Sequence, residues 1–331
     1  MKSTILKSLA AGTIASLFLL SAAHAETWRM AMDVGLESPE GKGIQKFAEL
    51  VDEYSDGDLT ITLFPYEQLG SADAVGEQLS QGLIQMQSAG LVRMAKWLPA
   101  IQYMNAPFLF EDREHWVRFM NSDVVKAWFD EAEEKGGVAV LGDPTAFLRG
   151  PYRVIVATTP VESIDDVKGL RLRMHPDDLA VAAWSALGAD VRVMPWSDVY
   201  QGLQRSTIDA VNSPIALVES TRFQEVAPNV SRHDEYWQSV GFMVNAKALN
   251  ALSEKDRTAL EKAYAEAAAY GTAEVEKGAA ESIERMKADG VMFYDIDTAP
   301  FSAIMAQYYN DHSAELPDGF VEAVDATRSD N

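Results

Sequence analysis

The sequence predicts an α/β chain arranged as two lobes. Between Arg149 and Ser220, strand-like runs rich in Val, Ile and Leu alternate with helical patterns, which is typical of a sheet covered by helices. A length of 331 residues suits two lobes of ordinary domain size. The helix-forming segment Glu254–Asp289 would be about 54 Å long at 1.5 Å per residue, so we expect one helix to run across both lobes.

The first 25 residues have the pattern of a secretory leader. Lys2 and Lys7 precede the apolar run Leu9–Ala23, and Ala23-His24-Ala25 provides an A-x-A cleavage site. The apolar run is too short for a membrane span. We therefore expect export and cleavage after Ala25, the alternative being an N-terminal core helix.

The charge of the chain excludes one class of partner. Removal of the leader leaves 26 basic and 50 acidic residues, a formal charge of −24. Nucleic-acid binding needs a basic face, so we expect none. The chain has no cysteine, which excludes disulfides and thiol chemistry.

The strands and helices follow from periodicity and turn residues. Ser253 with Asp256 resembles a capping box at the start of the long helix, and Gly290 marks its end. Gly271 and Gly278 are candidate bends, and a dimeric coiled coil is the alternative reading of this helix. The predicted strands are Thr27–Met32, Leu59–Phe64, Met86–Ala89, Val138–Leu141, Arg153–Thr158, Arg171–Met174, Asp190–Val193, Ile208–Val211, Tyr236–Asn245 and Val291–Ile296. The other predicted helices are Gly41–Ser55, Ala72–Gln81 and Ala299–Ala314, and the acidic tail is expected to fray.

Two of these strands are expected to cross between the lobes, Val138–Leu141 and Tyr236–Asn245. The predicted first lobe comprises residues 26–148 with about 239–278, and the second comprises 149–238 with about 279–331. The crossing residues would form a hinge.

Polar and aromatic side chains near the ends of the predicted strands suggest a binding site for an anion. A guanidinium such as that of Arg173 fits a carboxylate with two parallel hydrogen bonds. Trp196 lies at a strand–helix junction, where an indole can pack against a ligand, although a core position is the alternative. The predicted ligand-binding residues are Arg173, Arg153, Trp196, Ser213, Asn212, Trp237, Asp33, Gly90 and His175, with Tyr236 as the alternative to Trp237. Arg149 and Arg171 are expected to be solvated.

The inventory of reactive residues argues against an enzyme. None of the five histidines pair at metal-ligand spacing, and no H-E-x-x-H, G-x-S-x-G, P-loop or dinucleotide fingerprint is present. We expect no metal and no cofactor. A cleft enzyme acting on a small organic acid stays the rival hypothesis from a different class.

The motifs of this chain resemble those of the solute-binding proteins of TRAP (tripartite ATP-independent periplasmic) transporters, of the C4-dicarboxylate-binding type. The family pattern of an Arg, a Pro seven residues on, and Asp-Leu-Lys-Gly-Leu-Lys-Ile-Arg corresponds to Arg153, Pro160 and the run Asp166–Arg173. Further matches, in the same order as in the family, are Phe64–Gly70, Gly82–Met86, Ala106–Phe110, Leu187–Ala189, Met194-Pro195, Tyr200, Leu203-Gln204, Ile208-Asp209 and Pro214. The chain departs from the family at residues 210–213, where the ligand-contacting Asn corresponds to Ser213 and Asn212 lies one residue early.

The resemblance implies a type II-like periplasmic binding protein, monomeric, in which Arg173 holds a ligand carboxylate and Arg153 is the second arginine. The closed protein would dock on a TRAP permease that uses an ion gradient. The ligand would be a small carboxylate, sugar acid or sulfonate. Trp196 and Trp237 also resemble two walls of the aromatic box of ectoine-binding members, but the middle wall would fall near Ala216 or Leu217. A sensor-linked periplasmic protein is a further alternative.

Overall fold

The computed structural model describes residues 25–328. The strands are β1 (Glu26–Met32), β2 (Leu59–Phe64), β3 (Met86–Ala89), β4 (Val138–Val140), β5 (Arg153–Ala157), β6 (Arg171–Met174), β7 (Asp190–Val193), β8 (Ala210–Pro214), β9 (Asn229–Arg232), β10 (Gly241–Asn245) and β11 (Met292–Asp295). The helices are α1 (Pro39–Tyr54), α2 (Ala72–Ser80), α3 (Arg113–Met120), α4 (Asp123–Gly136), α5 (Asp178–Ala186), α6 (Val199–Gln204), α7 (Ile215–Val218), α8 (Ala246–Ala251), α9 (Glu254–Ala288), α10 (Ala299–Asp311) and α11 (Phe320–Ala326). Six short 3₁₀ segments lie between them in this range.

The strands form two sheets, one in each lobe. The first sheet has the order β2-β1-β3-β10-β4, in which β10 runs antiparallel to both of its neighbours. The second sheet has the order β11-β9-β5-β8-β6-β7, in which β5 runs antiparallel to β8 and β9. The two-lobed α/β fold predicted from the sequence is confirmed. The lobe limits at residues 148/149, 238/239 and 278/279 stay a proposal.

The chain passes between the sheets in two segments that pair with each other. The Val240 amide donates to the carbonyl of Phe147 at 2.7 Å, and the Arg149 amide donates to the carbonyl of Gln238 at 2.8 Å. The predicted crossing by Val138–Leu141 itself is wrong, because β4 lies wholly in the first sheet, where it pairs with β10. The crossing follows this strand, between β4 and β5, and the return crossing lies between β9 and β10.

Helix α9 is continuous over 35 residues and packs on both lobes. Tyr264 meets Phe242 of the first sheet, with ring centroids 5.2 Å apart, and Arg285 donates to Glu219 beside α7 at 2.8 and 2.7 Å. The helix begins where the Ser253 hydroxyl accepts from the Asp256 amide at 3.1 Å. Gly271, a predicted bend, instead allows close approach. A Cβ there would lie 2.4 Å from the Phe147 ring.

The largest departures from the predicted elements are in short or polar segments. Strand β8 starts two residues later than expected and extends through Asn212 and Ser213, because it pairs along β5. The helix-like run before Leu187 and the helix start expected at Ser197 correspond to α5 and α6, whereas α3, α4, α7, α8 and β9 were not predicted. The acidic tail was expected to fray, and this prediction is wrong up to Ala326. Helix α11 forms there and buries Phe320 against Phe119, with ring centroids 5.7 Å apart.

The predicted leader lies outside the described residues, apart from Ala25. Within residues 25–328, no helix combines the length and apolar character needed to span a membrane.

Candidate functional site

A cleft lies between the two lobes. Residues from the carboxyl ends of β1, β3 and β6 meet residues of β8 and of the two crossing segments there. The lining residues are Asp33, Val34, Gly90, Val92, Arg93, Arg149, Arg153, Arg173, His175, Trp196, Asn212, Pro214, Leu217, Tyr236 and Gln238. Seven of the nine predicted ligand-binding residues are among them: Asp33, Gly90, Arg153, Arg173, His175, Trp196 and Asn212.

The other two predicted residues, Ser213 and Trp237, do not line this cleft. Successive side chains of an extended segment point to opposite faces. Asn212 and Pro214 therefore face the cleft, while Ser213 is fully buried and its hydroxyl donates to the Pro214 carbonyl at 3.0 Å. By the same alternation, Trp237 packs against the apolar core and Tyr236 lines the cleft, as the alternative prediction had it.

Arg173 presents a buried guanidinium that the protein has not neutralised. Its Nε and Nη2 donate to the Met194 carbonyl at 3.0 and 2.8 Å, which fixes the side chain at the carboxyl end of β6. Among the described side chains, no carboxylate lies within ion-pair distance of it. Burial, followed by the positive charges of Arg93 and Arg153, lowers the pKa of Arg173. Burial thus disfavours the charged form of Arg173, and an anion bound beside it would stabilise that charge.

Arg153 is held by a buried acid that sequence reasoning missed. Its Nε donates to the Asn212 Oδ1 at 2.9 Å and lies 3.6 Å from a Glu235 carboxylate oxygen. Glu235 also accepts hydrogen bonds from Trp184 Nε1 and Asn212 Nδ2. Burial raises the pKa of Glu235, and Arg153 opposes that effect. Glu235 thereby positions two side chains of the cleft without lining it.

Two further arginines of the cleft are also paired. Arg93 Nη2 lies 2.9 Å from the Asp33 carboxylate, and Arg149 Nη2 lies 2.7 Å from that of Glu40. The prediction that Arg149 is solvated is wrong, because its side chain is only 9% exposed in this ion pair. Glu40 lies in the first turn of α1, where Ser38 caps the helix by accepting from the Gly41 amide at 2.9 Å.

Aromatic rings and apolar side chains complete the walls. The Arg173 guanidinium lies 5.3 Å from the Trp196 ring centroid, and that of Arg153 lies 4.4 Å from the Tyr236 centroid. Trp196 packs edge-on against Phe223 at 5.0 Å. Leu217 lies among the lining residues, and Gly90 leaves room for Gln238, whose Nε2 would be 2.5 Å from a Cβ at position 90.

His175 lies at one end of the cleft beside Asp177, whose Oδ2 is 3.5 Å from the imidazole Nε2. Burial lowers the pKa of His175, and Asp177 opposes that effect. A neutral imidazole at this position suits hydrogen bonding to a ligand better than charge pairing.

An outer chamber adjoins the cleft and shares Asp33, Val34 and Trp196 with it. Glu37 and Glu67 line one side of this mouth, and Arg222 lies across from them. The Arg222 Nε is 2.7 Å from Glu225, so this guanidinium already has an acidic partner.

This arrangement can bind and enclose a small anion, but it brings together no recognisable set of nucleophile and general base. Within residues 25–328, no group of three or more His, Asp or Glu side chains is placed to hold a metal ion. The fold and the cleft together define a two-lobed binding protein for a small solute.

The comparisons with known proteins give the family. The family model of the bacterial extracellular solute-binding proteins, family 7, matches residues 30–316, and the chain belongs to that family. A solute-binding protein of Sulfitobacter sp. (strain NAS-14.1) is 31% identical over 79% of this chain and 78% of its own. The 2,3-diketo-L-gulonate-binding periplasmic protein YiaO of Escherichia coli (strain K12) is 29% identical over 93% of this chain and 94% of its own.

A solved TRAP periplasmic solute-binding protein from Roseobacter denitrificans, with bound β-D-glucuronate, is 28% identical to this chain. It superposes with a TM-score of 0.81 and covers 92% of this chain and 100% of its own. The resemblance of the sequence to TRAP solute-binding proteins is confirmed, and several relatives are periplasmic binding proteins. The relatives compared here are binding proteins, not enzymes.

Proposed function

We propose that this protein binds a sugar acid or a similar small hydroxylated carboxylate, whose carboxylate is held by Arg173. The observation that carries the proposal is the buried Arg173 guanidinium in the cleft, without an acidic partner among the described side chains. A carboxylate placed there would make charge-assisted hydrogen bonds in a site of low polarity.

The rest of the cleft supports a ligand with hydroxyl groups. Asp33, Asn212 and Gln238 line the cleft, and although each already bonds an arginine, its carboxylate or amide group can make a further hydrogen bond to a ligand hydroxyl. Two relatives support this ligand class, since one is a 2,3-diketo-L-gulonate-binding protein and the other was solved with bound β-D-glucuronate. The position of Leu217 in the lining, in place of an aromatic middle wall, favours this ligand class over an ectoine-like zwitterion.

We further propose that the leader is cleaved after Ala25 and that the mature protein acts as a monomer in the periplasm. In this proposal the protein returns its ligand unchanged and has no catalytic activity. It docks in its closed form on a TRAP permease. Mass spectrometry of the protein purified from the periplasm tests the cleavage, since the mature chain would begin at Glu26.

A thermal-shift screen across matched sugar acids, simple carboxylates, sulfonates and ectoine tests the ligand class, because a ligand that binds only the folded state raises its stability. Calorimetry then gives the affinity of each hit. We expect sugar acids to be the strongest ligands, with binding lost in Arg173→Ala. Stabilisation by ectoine alone, or by none of the acids, would overturn the proposal.

A further inference from the structure

The charges around the cleft form pairs, with one exception. Four guanidiniums line it, and three of them have an acidic partner supplied by the chain itself: Arg93 with Asp33, Arg149 with Glu40 and Arg153 with Glu235. Only Arg173 lacks one among the side chains that the structure describes. The three paired acids therefore leave one of the four guanidiniums in the cleft, that of Arg173, without a carboxylate partner.

Two of the neutralising acids are deeply buried. Glu40 and Glu235 are each 1% exposed, and both lie behind the arginines that they hold. A buried carboxylate is costly unless a charge and hydrogen bonds compensate it. Arg149 supplies this for Glu40, while Arg153, Asn212 and Trp184 supply it for Glu235. Each acid holds its arginine through part of the guanidinium, so a ligand anion at Arg149 or Arg153 would have to share that charge with a carboxylate already in place.

The mouth of the cleft is acidic on the side of the first lobe. Glu37 and Glu67 line the outer chamber, and Glu37 accepts a hydrogen bond from the Tyr66 hydroxyl. A second negative charge on a ligand held by Arg173 would meet either arginines that are already paired or these acids. Like charges in a site of low polarity repel strongly.

We propose that the paired acids Glu235, Glu40 and Asp33 restrict this cleft to ligands with a single negative charge, with Glu235 as the main determinant. The inference rests on the proposed function and deepens it. Four arginines alone would suggest a dicarboxylate site. The acids behind them make it a monocarboxylate site, so a sugar acid with one carboxylate is bound and the corresponding diacid is rejected.

The test compares each monoanion with a dianion of the same skeleton: D-gluconate with D-glucarate, and succinamate with succinate. Calorimetry at low ionic strength gives the ratio of dissociation constants for each pair. Wild-type protein is expected to prefer the monoanion by about tenfold or more. Glu235→Gln keeps the shape of the side chain but frees Arg153, and we expect the ratio to move toward the dianion by about tenfold.

Asp33→Asn is the second variant, since this side chain is less buried than Glu235 and its replacement perturbs folding less. It frees Arg93 and should move the ratio in the same direction. Glu276→Gln is the matched control, because it changes the net charge equally in an exposed pair with Arg113, outside the residues that line the cleft. Its ratio should equal that of the wild type.

The outcomes separate the two proposals. Wild-type protein that binds the dianion as tightly as the monoanion overturns the charge restriction but leaves the carboxylate-binding function intact. Unchanged ratios in both Glu235→Gln and Asp33→Asn also overturn it. Protein that binds no acid of either kind overturns the proposed function and this inference with it.

Discussion

Replacement of Arg173 by lysine keeps a positive charge in the cleft but removes the planar fork that matches a carboxylate. We expect Arg173→Lys to bind a confirmed acid much more weakly than wild type, and Arg173→Ala to lose about 2–4 kcal/mol of binding free energy. The loss arises because the ligand anion is left desolvated and unpaired. Calorimetry on wild type, Arg173→Lys and Arg173→Ala measures these affinities. If Arg173→Ala bound the acid as tightly as wild type, Arg153 would become the leading anion site.

Replacement of Trp196 by alanine removes an aromatic wall that is only partly buried. Binding should weaken by about 1–3 kcal/mol through lost apolar contact. The ligand-free protein should keep most of its melting temperature, because the ring packs on Phe223 at the cleft surface rather than in the core. A large fall in the melting temperature of the ligand-free variant would show instead that Trp196 is a structural residue.

We expect the buried His233 to make the protein less stable at acidic pH. Its ring is fully buried, and desolvation with a smaller effect of Arg153 lowers its pKa to about 3. Below about pH 6.5 the unfolded chain therefore takes up a proton that the folded protein refuses, so the free energy of unfolding falls as pH falls.

Between pH 7.5 and 5.5, the wild type should lose roughly 1.4 kcal/mol more stability than His233→Leu. Urea unfolding of both proteins at the two pH values measures this difference, which does not depend on their absolute stabilities. His175, whose pKa is also lowered, is present in both and cancels. Equal losses in the two proteins would contradict a neutral, buried His233.

At the level of single elements, replacing Gly271 in α9 by alanine shows whether helix propensity or packing has the larger effect on stability. Alanine favours a helix by about 1 kcal/mol over glycine. A Cβ at position 271 would nevertheless lie 2.4 Å from the Phe147 ring, at the point where α9 approaches Gly43 of α1. We expect Gly271→Ala to lose about 1–3 kcal/mol of stability through overpacking.

Gly76→Ala in α2 is the control for Gly271→Ala. The nearest neighbour of its added methyl group is the flexible Lys96 side chain at 3.9 Å. This variant should be as stable as wild type or slightly more stable in thermal unfolding. A gain in stability for Gly271→Ala as well would mean that the two helices can separate at no cost.

The same contrast explains which elements the sequence could predict. Strands β2, β6 and β7 agree with the predicted limits, because polar and apolar residues alternate along them and this alternation is a local signal. Strand β8 ends in Asn212-Ser213-Pro214, residues that read as a loop and become a strand only by pairing with β5. Helix α4 was not predicted, although Val125, Trp128 and Ala132 form a buried face at helical spacing, which is a local signal.

The candidate site was predictable only where one residue carries the signal. Arg173, Arg153 and Trp196 were named from their positions at strand ends and from family motifs. The charge pairs could not be predicted from the sequence. Glu40 and Arg149 are 109 residues apart, and nothing in the local sequence distinguishes Glu235 from other acids. The charge of the cleft is a property of tertiary structure.

At the scale of the whole molecule, the net charge of the mature chain repels anions, while its binding site must attract one. A formal charge of −24 on the mature chain produces a repulsive field at long range, which salt screens within about 10 Å at ordinary ionic strength. The unpaired guanidinium of Arg173 acts inside the cleft, where its burial weakens the screening by salt. We infer that selectivity arises after entry rather than during diffusion toward the protein.

Ligand binding should bring the two lobes together by rotation at the paired crossing segments. These segments join through few backbone hydrogen bonds, those of Phe147 with Val240 and of Arg149 with Gln238 among them. A few such residues can absorb the rotation while each sheet stays intact. Helix α9 contacts both lobes along its length and would guide the movement rather than prevent it.

Small-angle scattering with and without a saturating acid measures this closure as a smaller radius of gyration in the bound protein. Arg173→Ala at the same ligand concentration is the control and should show the radius of the free protein, because it lacks the contact that draws the lobes together. The prediction fails if wild type binds the acid by calorimetry yet scatters identically in both states. The cleft would then be preformed, and the permease would have to recognise the ligand-bound protein by something other than the relative position of its lobes.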